Sequence, residues 1–218
     1  MKPPTGSVLI CVRDRESYIG EAIASALAQT VPPREVIVVD DGSTDGTAEV
    51  VRSFDGVRLI TQPPLGVGPA WNAALEASNG EFLGYLDADD IWEPKKLEVQ
   101  LEAFAREPSL DLVFGHMRRF MDGAPEDMSE PIPAVLGGSL LFRRSAALRV
   151  GPFPTDVRVG EFLHWLMRAR ELGLRESVLP EVVLRRREHS SNITRREENP
   201  FGDFARVLKA SIDRRRAT

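Results

Sequence analysis

The sequence holds a single cysteine, Cys11. With no second thiol in the chain no internal disulfide can form, and nothing in the residues asks for an oxidising compartment. Long apolar runs are missing too: no stretch approaches the ~20 residues that a membrane-crossing helix needs. Met1-Lys2-Pro3-Pro4-Thr5-Gly6 leads into a short strand and not into the apolar core of a secretion signal. An excess of positive charge is also absent. Lys and Arg number 28 against 33 Asp and Glu, a net charge of −5, which argues against a nucleic-acid partner. There is no internal repeat, no low-complexity tract and, near the N-terminus, no Gly-rich, Lys-bearing loop of the kind a nucleotidyltransferase carries. The expectation is a cytoplasmic protein.

What is there fits one globular domain. A chain of 218 residues, 42% apolar and 28% charged, can bury a full core. Residues 7–12 form a continuous apolar run, the mark of an interior parallel strand. Ile19, Ala22, Ile23, Ala26 and Leu27 then recur at helical spacing, closed by Pro32-Pro33. Residues 35–39 predict a second buried strand. Strand, helix, strand over this length is a right-handed βαβ unit.

Ser43 or Thr44 is placed to cap a helix to about residue 54, and residues 57–60 predict a third strand. Pro63-Pro64-Leu65-Gly66-Val67-Gly68-Pro69 reads as a loop suited to tracking a ligand. A helix over 70–78 carries Asn72, with Asn79-Gly80 as its C-cap. Phe82 to Leu86 is the fourth strand and 94–106 a helix. Strands follow over 111–115 and 117–121. The Pro, Asp, Glu and Gly of 122–133 predict an exposed connection. Beyond it the pattern predicts a strand over 138–142, helices over 145–150 and 161–172, a last strand over 178–184, a polar segment over 185–200 and a closing helix over 201–214. Alternating strands and helices indicate an α/β sheet with helices on both faces, whose ligands gather at the carboxyl ends of the strands. Asp14, Asp40, Asp41, Asp87, Asp89 and Asp90 all stand at such ends.

Tyr85-Leu86-Asp87-Ala88-Asp89-Asp90-Ile91-Trp92 is the stretch richest in chemistry. Like charges crowded at a strand end repel one another unless a cation or N–H donors offset them. Mg2+ and Mn2+ favour oxygen ligands, and Mg2+ takes one or two carboxylates while leaving places for water and substrate phosphates. The plain alternative is a cap for the helix that begins near Pro94.

Val38-Val39-Asp40-Asp41-Gly42-Ser43-Thr44-Asp45 together with Leu86-Asp87-Ala88-Asp89-Asp90-Ile91-Trp92 resembles the family 2 glycosyltransferases. The likeness continues in Ala70-Trp71-Asn72, Val150-Gly151-Pro152-Phe153 and Arg187-Glu188-His189. It implies the GT-A fold, a Rossmann-like three-layer α/β/α sandwich with a mostly parallel central sheet. It also implies transfer of a sugar from a nucleoside diphosphate, UDP first among them, to an unidentified acceptor, with inversion and with Mn2+ or Mg2+. Residues 1–121 would then hold the nucleotide-sugar and 134–200 the acceptor, with 201–218 a basic C-terminal helix.

On this resemblance Val12, Asp14, Asp40, Asp41, Ser43, Gly66, Asn72, Asp87, Ala88 and Arg187 line the donor. Asp40 and Asp41 accept from a base N–H and ribose hydroxyls. Asp87, Asp89 and Asp90, with His189 as a further ligand, hold the metal. One of Arg185, Arg186 and Arg187 clamps the diphosphate.

Transfer also needs a base for the acceptor hydroxyl. The family places an aspartate second in a Glu-Asp pair, where this chain has Phe162 after Glu161. Glu161 is the first candidate, although a helix N-terminus lowers a carboxylate's basicity; His164 is the second. Other departures are Arg13-Asp14 for the usual Tyr-Asn, Cys11 where a proline is common before Val12, and Trp71 for the usual arginine. A silent sugar-nucleotide-binding module and a nucleotidyltransferase are the alternatives. Arg214-Arg215-Arg216 leaves room for peripheral contact with an anionic membrane, and the oligomeric state, a dimer included, stays open.

Overall fold

Val8, Leu9, Ile10 and Val12 are all buried although they point alternately to opposite sides of one strand, because β1 (Gly6–Val12) is covered on both faces. The structure is a computed structural model and describes residues 6–157 and 160–189. In it β1 pairs in parallel with β2 (Glu35–Asp40), β2 with β3 (Val57–Thr61), and β1 on its other side with β4 (Phe82–Asp87). The chain goes on to supply β5 (Ile91–Trp92), β6 (Leu112–Met121), β7 (Ala124–Met128), β8 (Ile132–Ala134), β9 (Leu141–Arg143) and β10 (Glu176–Glu188). They make one 10-stranded sheet in the order β3-β2-β1-β4-β9-β6-β10-β5, with β7 and β8 added on β6. β9 runs antiparallel between β4 and β6, β10 is parallel to β6, and β5 is antiparallel to β10.

The helices are α1 (Ile19–Leu27), α2 (Thr47–Arg52), α3 (Val67–Ala77), α4 (Lys96–Arg106), α5 (Arg144–Val150) and α6 (Glu161–Glu171). Ile19, Ile23, Val51, Leu97 and Phe104 from α1, α2 and α4 pack on Val8, Ile10 and Val38. Trp71, Ala74, Ala147, Trp165 and Leu166 from α3, α5 and α6 pack on Leu9, Ile37 and Tyr85 on the opposite face. This is the expected three-layer sandwich around a mostly parallel sheet. Each large side chain sealed in either layer contributes on the order of 1.5–3 kcal/mol. Trp92 lies over Gly84, where a Cβ would come within 2.7 Å of the indole, so only glycine fits beneath that ring.

Several expected boundaries move. β6 is one strand of 10 residues, where two were expected. The 122–133 connection carries β7 and β8: Gly123, at φ 81°, turns the chain back, and Pro133 is tolerated opposite His116 because β8 is an outer strand. Gly137–Ser139 is a 3-10 turn before β9, not part of a strand over 138–142. α2, α3 and α4 start at Thr47, Val67 and Lys96. Asp45, not Ser43 or Thr44, accepts the Thr47 N–H, at 3.1 Å. α3 ends at Ala77 with Ser78 extended, so Asn79-Gly80 is no C-cap; Gly80 is tight against Ser7 instead. β10 reaches Glu188 and absorbs the arginines expected in a loop. The helix expected over 201–214 lies outside the described residues.

Candidate active site

Two strand-end loops are stitched together at the carboxyl edge of the sheet. Asp14 is in the left-handed region at φ 52°, which an Asx side chain tolerates. Its N–H donates to Ser43 Oγ at 3.0 Å and its Oδ1 accepts the Thr44 N–H at 2.7 Å. Asp40 Oδ1 accepts the Ser43 N–H at 2.8 Å, closing the turn that contains Gly42. The Val12 carbonyl accepts the Asp41 N–H at 2.9 Å.

Asp41 is buried, and both of its oxygens are taken by the loop before α3. Oδ1 accepts from Gln62 Nε2 at 2.7 Å and the Leu65 N–H at 2.8 Å, and Oδ2 from the Gly66 N–H at 2.8 Å. Asp41 thus ties the loop before α3 to the end of β2, with Gly66 taking part through its N–H. Asn72 exchanges two bonds with Phe153, Nδ2 to its carbonyl at 3.0 Å and Oδ1 from its N–H at 2.8 Å. That joins α3 to the segment leading toward α6. Trp71 is buried 4.0 Å from Tyr85, filling the interior with an aromatic pair.

The Asp87–Asp90 turn closes with the Asp90 N–H on the Asp87 carbonyl at 3.1 Å. Asp87 opens to solvent at the edge, yet atoms crowd its carboxyl closely enough to push it up to about 6; burial is the main cause, followed by the charge of Asp89, while Arg186 acts the other way. Ala88 is buried beneath. Asp89 Oδ2 faces His189 Nε2 at 3.1 Å and Arg15 Nε at 3.4 Å. Asp90 is turned inward, 3% exposed, with Oδ1 accepting the Arg187 N–H at 2.9 Å. Burial, then Asp87 and Asp89, push its carboxyl well up.

Arg187 is committed to protein partners: Glu21 Oε2 at 2.5 Å, Asp122 Oδ1 at 2.9 Å and the Asp89 carbonyl at 3.0 Å. Its guanidinium also covers Tyr18 and Phe120. It braces the acidic turn from behind. Arg186, the alternate residue on β10, is the one whose charge reaches Asp87 and Asp90. Arg15 and Tyr18 are members of this cluster that the residue pattern did not single out, and Arg186 was only one of three arginines offered for the diphosphate. The alternation of β10 would have separated Arg186 from Arg187, had the strand been extended through the arginines.

Glu161 opens α6 after Gly160, itself left-handed at φ 86°. Burial is the main influence on Glu161 and raises its carboxyl, and Asp87 adds to that; its own N–H and that of Phe162 act in the opposite sense. The dipole cost expected at this helix start is therefore outweighed. Phe162 meets Phe114 edge-on at 6.5 Å. His164 lies on the same helix, its N–H donated to the Gly160 carbonyl at 2.9 Å. Cys11 stands in register with Asp87, and burial first, then Asp87, Asp41 and Glu161, push its thiol well up. Carboxyls from three distant stretches share one neighbourhood around the end of β1. Among the described residues, no group of three or more His, Cys, Asp or Glu side chains is arranged to hold a metal ion by itself, and no helix is long and apolar enough to cross a membrane.

Comparison with known proteins gives the family and the fold. An uncharacterised glycosyltransferase of Nostoc sp. is 41% identical over 103 residues, 45% of this chain and 32% of that protein. A putative teichuronic acid biosynthesis glycosyltransferase of Bacillus subtilis is 35% identical over 130 residues, 57% of this chain and 51% of the relative. The chain thus spans about half, or less, of the length of these relatives. In fold it is similar to residues 1–349 of Staphylococcus aureus TarS in complex with UDP-GlcNAc, with a TM-score of 0.78 at 22% identity, over 95% of this chain and 65% of that one. A Pyrobaculum calidifontis mannosyltransferase in complex with GDP-Man and Mn2+ gives a TM-score of 0.73 at 23% identity, over 96% and 65%. The sandwich is thus the GT-A fold of these enzymes. With the family's sequence model matching residues 7–163, from β1 into α6, the chain belongs to glycosyl transferase family 2.

Proposed function

We propose that this chain transfers a sugar from a nucleoside diphosphate, UDP first among them, to an acceptor hydroxyl, with inversion at the anomeric carbon and with Mn2+ or Mg2+ at the diphosphate. The observation that carries this is the meeting of carboxyls at one edge of the sheet: Asp87 stands in register with Cys11 of β1, the Asp41 N–H is held by the Val12 carbonyl at 2.9 Å, and the charge of Asp87 reaches Glu161. Ligands of open α/β sheets bind in such a crevice. The UDP-GlcNAc and the GDP-Man with Mn2+ held by the two similar structures support the donor class and the metal.

In an inverting transfer the acceptor oxygen attacks the anomeric carbon, the bond to the diphosphate breaks with its electron pair, and the acceptor proton passes to a base. Glu161 is the group for that proton: burial and Asp87 raise its carboxyl, which makes it a better proton acceptor near neutral pH. Asp89 and His189, 3.1 Å apart, would hold a cation whose shell is completed by substrate oxygens and water, with Asp87 adding negative charge nearby, since Mg2+ commonly takes only one or two carboxylates. Such a cation, when bound, neutralises charge on the departing diphosphate. Asp90 fits less well, being buried with one oxygen on the Arg187 N–H. Arg186 supplies positive charge beside Asp87, while Arg187 holds the turn. Residues 1–121 serve the donor and 134–200 the acceptor, joined by the one sheet.

UDP release from UDP-GlcNAc in the presence of Mn2+ tests this. Slow hydrolysis is expected, falling roughly 10²- to 10⁴-fold in Glu161→Gln while calorimetric UDP affinity stays. Loss in His164→Ala but not in Glu161→Gln moves the base to His164. Absence of binding to both UDP and GDP, with or without Mn2+, overturns the proposal. Phe162 favours one second reading, a binding module without transfer, because a ring packed toward Phe114 stands where the family carries a carboxylate. UDP binding without turnover of any donor would establish that reading.

A further inference from the structure

Lys96 is a fully buried cation that the proposed reaction does not use. Its ammonium meets Gln100 Oε1 at 2.7 Å, the Ser139 carbonyl at 2.8 Å and the Leu140 carbonyl at 3.4 Å. These acceptors match the N–H groups of an ammonium, and none is a carboxylate. The face of Trp92 lies 4.7 Å away. Trp92 Nε1 donates to the Gly138 carbonyl at 2.9 Å, and Gln100 Nε2 donates to the Ser139 carbonyl at 2.8 Å. The carbonyls of Gly138, Ser139 and Leu140 are therefore all drawn into one cluster built from β5 and α4.

Stability alone is a poor account of such a residue. Burying an ammonium without a counter-charge costs free energy, and the burial pushes Lys96 well down from its ordinary range. What the cation gains is control of a turn that no described strand pairing holds from this side. The start of that turn faces the head of α6: a Cβ on Gly137 would touch the Phe162 ring at 3.7 Å. Phe162 is the neighbour of Glu161 in the first turn of that helix.

We propose that Lys96 is a positioning residue for the transfer: by gripping the Ser139 and Leu140 carbonyls it fixes the turn on which Phe162 rests, and through Phe162 the aim of the Glu161 carboxyl. This rests on Glu161 as the base. The cation acts through two layers, from α4 to the turn and from the turn to α6, and touches no substrate. The donor loops, stitched by Asp14, Ser43 and Asp41, do not depend on it.

Hydrogen exchange and hydrolysis of UDP-GlcNAc with Mn2+, measured on the full chain, test the assignment. Lys96→Met is expected to speed amide exchange over 136–140 and 160–164 while leaving 12–16 and 62–66 protected. Its kcat should fall roughly 10- to 100-fold with KM for UDP-GlcNAc within about twofold. Leu101→Ala, on the same helix but apart from the cluster, is the control: it should lower the melting temperature and keep kcat. Unchanged exchange at 160–164 in Lys96→Met, or an equal kcat loss in Leu101→Ala, overturns the assignment. Should Lys96→Met fail to fold, Gln100→Met, which removes the bonds to Ser139 and Val113 and one acceptor of the Lys96 ammonium, is held to the same outcomes. If the parent chain hydrolyses no donor, it is the proposed reaction that fails, and the exchange at 160–164 still decides for or against Lys96.

Discussion

His189 Nε2 lies 3.1 Å from Oδ2 of Asp89, and the Tyr18 ring stacks on that imidazole at 4.8 Å. The stack holds the ring edge toward the acidic turn, where a cation would find one imidazole nitrogen and one carboxylate together. We expect His189→Ala to weaken Mn2+ binding in the presence of UDP by about tenfold or more. Tyr18→Phe keeps the stack and removes only the hydroxyl donated to Asp122 at 2.9 Å, so it should leave Mn2+ affinity within about twofold. Electron paramagnetic titration of free Mn2+ distinguishes them, and equal effects would remove His189 from the ligand set.

Metal binding should also depend on pH with a definite sign. Asp87 is raised from its ordinary 3.8 to about 6, mainly by burial and then by Asp89. A carboxyl raised by folding stabilises the fold fully below its unfolded value, and that contribution is lost as pH rises through the folded value. For Asp87 the window runs from 3.8 to about 6, and Asp90 is shifted the same way. A divalent cation offsets the charge that appears across that window. The melting-temperature gain from Mn2+ should therefore be small near about pH 5 and larger near about pH 7.5. An equal gain at both would place the cation away from Asp87.

Arg186 and Arg187 are adjacent in the chain and should behave as opposites. Arg187→Met strips the partners from the Asp89 carbonyl, Glu21 and Asp122. The two carboxylates are partly exposed and can take up water again, which keeps the loss near about 1–3 kcal/mol by urea unfolding. Arg186→Met should leave unfolding nearly unchanged and weaken UDP binding by about tenfold, about 1.4 kcal/mol. Equal losses of UDP affinity in both variants, at equal stability, would refute the division of roles.

How much of this could be read from residues alone follows from burial. β1, β2 and β4 were legible because strands covered on both faces are unbroken apolar runs. β5 is too short to carry a pattern. β7 and β8 were hidden because outer strands tolerate Pro, Glu and Asp, the residues that also mark loops. Asp87 and Asp89 stood out as carboxyls at a strand end, whereas Glu161 was reached only through the family resemblance. The bonds from Asp41 to Leu65 and Gly66 are tertiary, and no spacing announces them. Lys96 was invisible for a related reason: a lysine in a helix normally marks the wet face, and only the packed structure reveals carbonyls waiting for it.

The last expectation concerns the joint between α3 and the segment that leads toward α6. A Cβ on Gly68 would stand 2.1 Å from the Pro154 carbonyl oxygen, a backbone atom that cannot swing aside. Gly68→Ala must then push the segment away, at about 1–3 kcal/mol. Asn72→Ala removes both bonds to Phe153 one residue earlier, a loss of about 1–3 kcal/mol. Once either change has parted the joint, the other has less left to break. The double variant should therefore lose less stability than the two single losses added together, by about 0.5 kcal/mol or more in a urea double-mutant cycle. Strict additivity would mean that Gly68 and Asn72 hold separate contacts, and that the path from α3 to Glu161 is not one joint.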